Sequence, residues 1–380
     1  MGYYTRGVDN TSGKERLNMK KVMITVTTLF GGGAERVVSV WANQLTDYGY
    51  DVSLLLYGRS EKEYPISNRV KIYTVADNYT EYKKLGYFKR LRKMRLLIKE
   101  AAPDVLINFL PRMQIWVMFA TFGMKLSKIE TVRVSPWEVC KNSKIEKMLW
   151  KTCFSKAKAI IVQTAEQADF FSSKVQKKCV VIPNPISSQY RDNPKLCYAD
   201  KVTKFVAAGR ITEQKNYPLM IEAFNVAKKD CPQITLSIYG TGEESYISKM
   251  QHLIDERGLS DSVKLMGRTT DMLSVLQNAD AFLMTSDFEG MPNALAEAMV
   301  IGLPCISTNC RTGPKDMIED QKNGYLTQVG DVDSVADAIM KVAFLNQEKT
   351  KQMGIMAREK ILEMCSEENS LNKLIKMIES

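Results

Sequence analysis

The chain has 380 residues, of which 45% are hydrophobic and 25% charged, which is ordinary for a globular protein and long enough for two domains. Its formal charge of +10 is uneven: residues 1–185 contain 31 Lys and Arg against 16 Asp and Glu, and residues 186–380 contain 22 against 27. No zinc-ligand spacing, RNA-binding aromatic motif or helix-turn-helix pattern accompanies the basic half. These observations argue against nucleic acid and favour an anionic membrane surface as a partner.

The cysteines and the apolar runs bear on where the protein works. Eight cysteines are scattered without a CxxC pair, which is typical of reduced thiols in a cytoplasmic protein. Residues 1–18 are polar, so we predict a disordered extension there and no signal peptide. The longest strongly apolar run, 115–124, is about half of a membrane span. We expect a cytoplasmic protein that is not integral to a membrane.

The first half alternates short apolar runs with helical patterns, which predicts an α/β sheet of parallel strands. Three glycines, Gly31, Gly32 and Gly33, open the first of these helices. Glycines at such a turn let backbone N–H groups approach a phosphate or a sugar, although a tight turn without a ligand is the alternative. The predicted strands are 22–26, 51–57, 71–75, 105–109, 131–134, 159–162 and 180–182.

Residues 83–99 form a candidate basic amphipathic helix. Apolar side chains would line one face, and cations would cover the rest of the surface. Such a helix can lie on an anionic bilayer at the inner face of the cell membrane. A helix packed on the core with a solvated basic face is the alternative, and the two do not exclude each other. The predicted membrane contacts are Lys89, Arg90, Arg92, Lys93 and Arg95.

A Pro-, Asn- and Ser-rich patch at 183–188 interrupts this alternation, and a loose polar stretch follows it. We place the first domain at 19–184, a linker at 185–202 and the second domain at 203–366. Helices are predicted at 331–346, 348–363 and 367–379. The strands predicted in the second half are 204–208, 235–239, 263–266, 281–284 and 305–307.

The loop after the strand at 204–208 contains Gly209, Arg210 and Lys215. Arginine offers a planar fork and lysine a point charge, and both can hold a diphosphate when no metal is present. Solvated surface cations are the alternative. Gly240 and Gly267 form similar turns after the next two strands.

The stretch 286–314 is the most informative segment. Gly290 loosens a loop, Pro292 suits a first helical turn, and the helix that follows ends at Gly302. Its two carboxylates are Glu289 in the loop and Glu297 in the helix, and a helix N-terminus beside them can hold a polyhydroxyl or anionic ligand. A solvated Glu297 is the alternative.

The segments GRITEQKNYPLMIEAF and EGMPNALAEAM, with GLPCIST and TGPKDMI after them, closely resemble the donor-binding region of the retaining GT-B glycosyltransferases of family 4 (glycosyl transferases group 1), of the kind that builds bacterial surface polysaccharides. The resemblance covers 203–330 through specific motifs and 19–184 chiefly through the glycine turn. It implies the GT-B fold: two Rossmann-like, doubly wound α/β domains that face each other across a cleft, with a last helix, 367–380, that crosses back to the first domain.

The same resemblance implies a nucleoside diphosphate sugar as the donor substrate, and we expect it to be UDP-linked. It assigns Arg210 and Lys215 to the diphosphate, Glu289 to the hydroxyls of the transferred sugar and Glu297 to the ribose. The segments that carry the resemblance contain no Asp-x-Asp run and no histidine cluster, so we expect no metal and no other cofactor. The other implied donor-binding residues are Gly32, Gly33, Gly209, Gly240, Gly267, Arg268, Gly290, Met291, Pro292 and Asn293.

The chain departs from this family at one position, because many members have a histidine near the transferred sugar in the first domain. Its single histidine, His252, is in a predicted surface helix of the second half and is not expected to be catalytic. Arg133, Ser135 or Glu138 would replace the family's histidine.

The acceptor is open to more than one interpretation. We expect a glycan, linked to a polyprenyl lipid, because the first half is basic; a soluble acceptor is the alternative. A non-catalytic sugar-nucleotide-binding protein is the competing class. A Rossmann oxidoreductase is disfavoured, because no GxGxxG motif is present.

Overall fold

A computed structural model describes residues 20–139, 141 and 143–380, and the predicted extension at 1–18 lies outside these residues. The chain forms two compact units. The first contains the described residues up to Thr131, together with Ile145–Ile160 and Ile375–Ser380. The second contains the described residues of Val132–Lys144 and all of Ile161–Leu374, so the predicted linker at 185–202 lies within it.

Two parallel sheets organise the chain. The first has seven strands in the order β3-β2-β1-β4-β5-β6-β7, and the second has six in the order β10-β9-β8-β11-β12-β13. The strands of the first sheet are β1 (Lys21–Thr25), β2 (Asp51–Leu56), β3 (Lys71–Thr74), β4 (Val105–Asn108), β5 (Ser127–Thr131), β6 (Ala159–Val162) and β7 (Cys179–Val181). Those of the second are β8 (Lys204–Ala208), β9 (Thr235–Tyr239), β10 (Val263–Gly267), β11 (Ala281–Met284), β12 (Cys305–Thr308) and β13 (Tyr325–Thr327).

Helices connect successive strands except β2 and β3, and this is the arrangement of doubly wound α/β folds. The helices between β1 and β8 are α1 (Gly33–Tyr48), α2 (Tyr79–Lys84), α3 (Tyr87–Ala101), α4 (Pro111–Ala120), α5 (Lys144–Lys156), α6 (Ala165–Ala168), α7 (Ser173–Gln176) and α8 (Ser188–Arg191). Those after β8 are α9 (Tyr217–Asp230), α10 (Glu244–Glu256), α11 (Met272–Asn278), α12 (Asn293–Ile301), α13 (Pro314–Met317), α14 (Val332–Ala343), α15 (Gln347–Met364) and α16 (Glu367–Glu379).

The predicted strands at 159–162, 204–208, 235–239 and 281–284 are confirmed to the residue. Three of them are short apolar runs that are buried along most of their length, whereas β9 alternates between buried and more exposed residues. The strand predicted at 131–134 is wrong. The chain instead places β5 four residues earlier, where Lys128 and Glu130 interrupt the apolar pattern. The basic helix predicted over 83–99 is divided, since α2 ends at Lys84 and α3 begins at Tyr87.

A line of buried polar side chains crosses three neighbouring strands of the first unit. Thr25 Oγ1 donates to Asn108 Oδ1 at 3.0 Å, and Asn108 Nδ2 donates to Glu130 Oε1 at 2.8 Å. The pairing of β1 with β4 and of β4 with β5 puts these three residues side by side. Burial raises the pKa of Glu130 to about 7, although the Asn108 amide opposes this shift.

The last helix ends in the first unit. Lys20 Nζ donates to the carbonyl oxygens of Ile378 and Glu379 at 2.8 and 3.0 Å, and Tyr50 Oη donates to the Glu379 carboxylate at 2.5 Å. These bonds join the C-terminal carbonyls of α16 to the start of β1 and β2. Among the residues that the structure describes, no helix is both long and apolar enough to cross a membrane.

Replacing Glu130 with glutamine tests how much the buried carboxyl group lowers the free energy of unfolding when it ionises. Because the folded state binds this proton more tightly than the unfolded state, the free energy of unfolding falls as the pH rises from 4.5 to about 7 and stays lower above that pH. We expect Glu130→Gln to be more stable than the wild type by roughly 2–4 kcal/mol at pH 8. The difference should shrink toward zero near pH 4.5, the ordinary pKa of a glutamate carboxyl group.

Guanidinium unfolding of both proteins at pH 5 and pH 8 measures this difference. The Glu138→Gln variant, at a partly exposed position, is the control and should show no such pH dependence. A wild-type-minus-variant difference that is the same at both pH values would contradict the interpretation.

Candidate functional site

Three glycine turns lie next to one another at the carboxyl ends of β8, β9 and β10. The Gly209 N–H donates to Tyr239 O at 3.0 Å, and the Gly240 N–H donates to Gly267 O at 2.8 Å. A Cβ atom at position 240 would lie 1.8 Å from Gly209 O, which no side chain could tolerate. Glycine at 240 is therefore required by the contact between neighbouring loops, and a contact of the same glycine with a donor remains a prediction.

The loop after β8 reaches the loop after β11. Lys215 Nζ lies 2.5 Å from Glu289 Oε1, and the two side chains are only 17% and 9% exposed. Thr285 Oγ1 donates to Lys215 O at 3.1 Å, and Gln214 Nε2 donates to Phe288 O at 2.8 Å. The structure thus brings together two predicted site residues that are 74 positions apart in sequence.

A third segment fixes the backbone around Glu289. The Glu289 N–H donates to Arg311 O at 3.0 Å, and the Thr312 N–H donates back to Glu289 O at 3.1 Å. Thr312 Oγ1 also donates to Gly290 O at 2.9 Å. Gly313 has φ +99°, and a Cβ there would lie 2.8 Å from Gly290 O. Sequence analysis did not single out Thr312 or Gly313, although both belong to the TGPKDMI segment.

Asn184 joins three segments of the second unit: the loop of residues 290–293 and the segments that contain Arg133 and Gln163. Its Nδ2 donates to Asn293 Oδ1 at 2.7 Å, and its backbone N–H contacts Met291 Sδ at 3.1 Å. Its Oδ1 accepts hydrogen bonds from Arg133 at 3.0 Å and from Gln163 Nε2 at 2.8 Å. Sequence analysis missed Asn184 and Gln163 as site residues, because the Pro-Asn-Pro run indicated a linker.

The residues proposed to replace the family's histidine have different environments. Arg133 is buried and bonded to Asn184, and burial lowers its pKa to about 9, so the guanidinium stays charged at neutral pH. Ser135 is 2% exposed, whereas Glu138 forms an ion pair with Lys141 at 3.1 Å. Of the three, Arg133 is the one that bonds Asn184, whose side chain also bonds Asn293 in the loop after β11.

The other predicted donor residues are divided between burial and exposure. Glu297 is 8% exposed on α12, so it is not a solvated helix residue. Arg210 and Arg268 are exposed at the ends of β8 and β10. In the first unit, Gly32 precedes α1 and Gly33 is its first residue. A Cβ at Gly32 would lie 2.0 Å from the Glu35 carboxylate.

Neither Cys310 nor His252 is placed to act as a nucleophile or a base beside Glu289. Burial raises the pKa of Cys310 to about 12, and the Glu289 carboxylate adds to this shift, so the thiol stays protonated and unreactive. His252 lies exposed on α10, 3.2 Å from Glu256. In the described part of the chain, no three His, Cys, Asp or Glu side chains are grouped as metal ligands.

The cations of α3 divide into two groups. Arg90, Lys93 and Arg95 donate hydrogen bonds to main-chain carbonyl oxygens of the first unit at 2.5, 3.0 and 2.8 Å. Lys89 and Arg92 are exposed. On the same helix, Phe88 and Leu96 are 85% and 54% exposed, and Phe122, beside Arg95, is 76% exposed.

Comparisons with known proteins agree with this arrangement. A glycosyltransferase of Haemophilus influenzae whose activity is uncharacterised is 25% identical over 94% of this chain and 98% of its own length. A Campylobacter jejuni enzyme described as GalNAc-alpha-(1->4)-GalNAc-alpha-(1->3)-diNAcBac-PP-undecaprenol alpha-1,4-N-acetyl-D-galactosaminyltransferase is 25% identical over 88% of this chain and 91% of its own. A Staphylococcus aureus TarM variant, solved with Fondaparinux, alpha-GlcNAc-glycerol and UDP, is 17% identical and superimposes with a TM-score of 0.79 over 95% of this chain and 100% of its own.

Two family profiles match adjacent parts of the chain. The profile described as Glycosyltransferase Family 4 matches residues 31–190, and the profile described as Glycosyl transferases group 1 matches residues 191–360. The two parallel α/β sheets and the similarity to TarM identify the fold as GT-B. The chain therefore belongs to the GT-B glycosyltransferases of family 4.

Proposed function

We propose that the protein transfers a sugar from a UDP-linked donor to a glycan acceptor with retention of the anomeric configuration and without a metal. The observation that carries this proposal is the nearly buried pair of Lys215 and Glu289 at the strand ends of the second unit. A cation and a carboxylate held together there suit a ligand with a negative diphosphate and a neutral sugar. The UDP in the TarM complex supports a uridine nucleotide as donor.

The four charged residues have three roles in this proposal. Arg210 and Lys215 stabilise the charge that develops on the leaving diphosphate, which is electrostatic catalysis by fixed groups. Glu289 accepts hydrogen bonds from hydroxyls of the transferred sugar and orients it. Glu297 accepts hydrogen bonds from the ribose. The leaving phosphate itself helps to deprotonate the acceptor hydroxyl.

The acceptor that we propose is a glycan linked to a polyprenyl diphosphate at the inner face of the cell membrane. The name of the Campylobacter jejuni relative contains such a lipid-linked acceptor, and the first half of this chain is basic. A soluble glycan is the alternative acceptor. Product formation in any donor–acceptor pair distinguishes transfer from the competing possibility of a non-catalytic sugar-nucleotide binder.

Replacing Glu289 with glutamine should affect donor binding and turnover in opposite ways. The change removes the partner of Lys215 and leaves the ammonium free for the diphosphate, so we expect the affinity for UDP to be kept or increased. Transfer should fall about 100-fold, because a preorganised contact to the sugar is lost. Calorimetry with UDP and product assays with UDP-sugars in EDTA measure the two effects.

Lys215→Ala is the complementary variant and should weaken UDP binding by about tenfold or more. The control is Arg257→Gln, which breaks an exposed ion pair with Glu222 and should change neither quantity. Equal losses of UDP affinity in Glu289→Gln and Lys215→Ala would contradict the assigned roles, and activity that disappears in EDTA would contradict metal independence.

The assignment of Glu297 to the ribose makes a different prediction. Glu297→Gln should bind UDP about tenfold more weakly than the wild type, because a hydrogen bond to a charged acceptor is lost. The two proteins should bind 2′,3′-dideoxy-UDP equally, since that nucleotide lacks the hydroxyls concerned. If the variant loses the same factor with both nucleotides, Glu297 acts through the fold and not through the ribose.

We further propose that the exposed side of α3 contacts an anionic bilayer. Phe88, Arg92 and Leu96 follow one another at intervals of four residues and therefore lie on one helix face. Lys89 adds a second exposed cation, and Phe122 adds a second exposed aromatic ring. Aromatic residues among cations are typical of helices that lie in the membrane interface.

The double variant Lys89→Gln/Arg92→Gln tests this surface. Each cation near an anionic bilayer contributes about 1 kcal/mol, so we expect binding to phosphatidylglycerol vesicles to weaken at least tenfold. Phe88→Ser should weaken binding through loss of insertion. Lys229→Gln/Lys249→Gln, with the same charge change in the second unit, is the control. Unchanged sedimentation with vesicles in all variants would rule out the proposed membrane contact.

A further inference from the structure

The first unit contains a cavity that the proposed donor chemistry does not use. It has a volume of about 400 Å³, which is within the usual range for small-molecule sites. Tyr57, which directly follows β2, and Arg112, in the first turn of α4, belong to its lining, so the cavity lies at the carboxyl ends of β2 and β4. Ligands of open α/β sheets bind at this edge.

Aromatic rings form much of its wall. Tyr57 and Tyr82 are stacked with 4.0 Å between ring centroids, and the Tyr79 ring, nearly parallel to both, has its centroid 6.1 Å from that of Tyr82 and 6.5 Å from that of Tyr57. The ring centroids of Tyr87 and Trp116 are 4.4 Å apart. Flat faces of this kind offer apolar contact to the C–H face of a sugar ring, together with polar groups at their edges.

Cations surround these rings. The Arg90 guanidinium lies over Tyr82 at 4.5 Å from the ring centroid, and Lys83 lies over Tyr79 at 4.8 Å. Arg112 adds a third cation to the lining, whereas Glu146 is the one carboxylate in it. Arginine and lysine bind carboxylate and phosphate groups, so the cavity favours a ligand with a negative charge.

Three buried polar atoms of the lining make no hydrogen bond of good geometry among the described residues: Tyr57 Oη, Tyr82 Oη and Arg90 Nε. The two phenols interact with each other, and Tyr82 interacts with Arg90, only through poorly aligned contacts. Both tyrosines are only 4% exposed. Buried polar groups in folded proteins are nearly always paired, and leaving a donor unpaired costs free energy. Burial raises the pKa of Tyr57 and of Tyr82, so both phenols remain protonated and can donate.

We propose that this cavity binds an anionic sugar residue of the acceptor glycan, with the ring against the exposed Tyr79 and Tyr87 and its carboxylate or phosphate on Arg90 and Arg112. The assignment of this ligand to the acceptor depends on the proposed transferase function, but binding in the cavity does not. The two buried phenols then donate well-aligned hydrogen bonds to the ligand, which neither makes among the described residues.

Calorimetry with the full-length protein tests the site directly. The probes are a glucuronate-containing tetrasaccharide, its neutral glucose counterpart, glucose 6-phosphate and inorganic phosphate. The wild type should bind the glucuronate tetrasaccharide at least tenfold more tightly than the neutral one, because charged hydrogen bonds contribute a factor of this order. Arg112→Gln should abolish this preference. Lys125→Gln, which removes an exposed cation of the same unit outside the cavity, is the control and should keep the preference.

The double variant Tyr57→Phe/Tyr82→Phe removes two hydroxyls and keeps both rings. It should bind the glucuronate tetrasaccharide about tenfold more weakly than the wild type and should melt at the same or a higher temperature, because the hydroxyls make no well-aligned hydrogen bond among the described residues. A fall in melting temperature without a change in affinity would show a structural role and overturn the proposal.

Three further outcomes decide the remaining points. Equal affinity for the neutral and charged tetrasaccharides, or inorganic phosphate binding as tightly as either charged sugar, would overturn an anionic sugar as the ligand. A preference for glucose 6-phosphate over the glucuronate probe would support the proposal and identify the charge as a phosphate. UDP is titrated in parallel: a protein that binds the glucuronate probe but not UDP retains the cavity and loses the proposed transferase function.

Discussion

The ion pair of Lys215 and Glu289 is the interaction on which the second unit's candidate site depends. Both charges are largely withdrawn from water, so each needs the other or a ligand. The pair also keeps the loop after β8 against the loop after β11, where Thr285 and Gln214 add hydrogen bonds. A diphosphate that binds Lys215 would take the place of Glu289 and release its carboxylate toward a sugar. Binding and positioning would thus be one event.

Much of this arrangement can be predicted from the sequence. Buried strands such as β8 and β11 are continuous apolar runs, and Gly302 ends α12 as predicted, with φ +100°. β5 could not be predicted, because its buried residues include Glu130, which interrupts the apolar pattern of the strand. The burial of Glu130 depends on its hydrogen bond to Asn108 on the neighbouring strand. Asn184 was missed for a related reason: its partners lie 21, 51 and 109 positions away, and no local pattern indicates them.

Buried polar groups have a similar place in both units. In the first unit, hydrogen bonds of Thr25, Asn108 and Glu130 join the ends of three strands. In the second unit, Asn184 joins three segments, one of which is the loop of residues 290–293. Directed hydrogen bonds fix relative position in a way that apolar contacts do not, and an unpaired member is costly. The polar groups therefore specify geometry at the edges of the sheets, where the site residues begin.

The discontinuous make-up of the units has a consequence for synthesis of the chain. The backbone passes between the two units four times, and the first unit receives Ile375–Ser380 only at its very end. The carbonyl oxygens of Ile378 and Glu379 that bind Lys20 leave the ribosome after all of the second unit. A nascent chain can therefore complete the interior of its second unit while the first still lacks its last segment, and neither unit can be encoded as one uninterrupted stretch of gene.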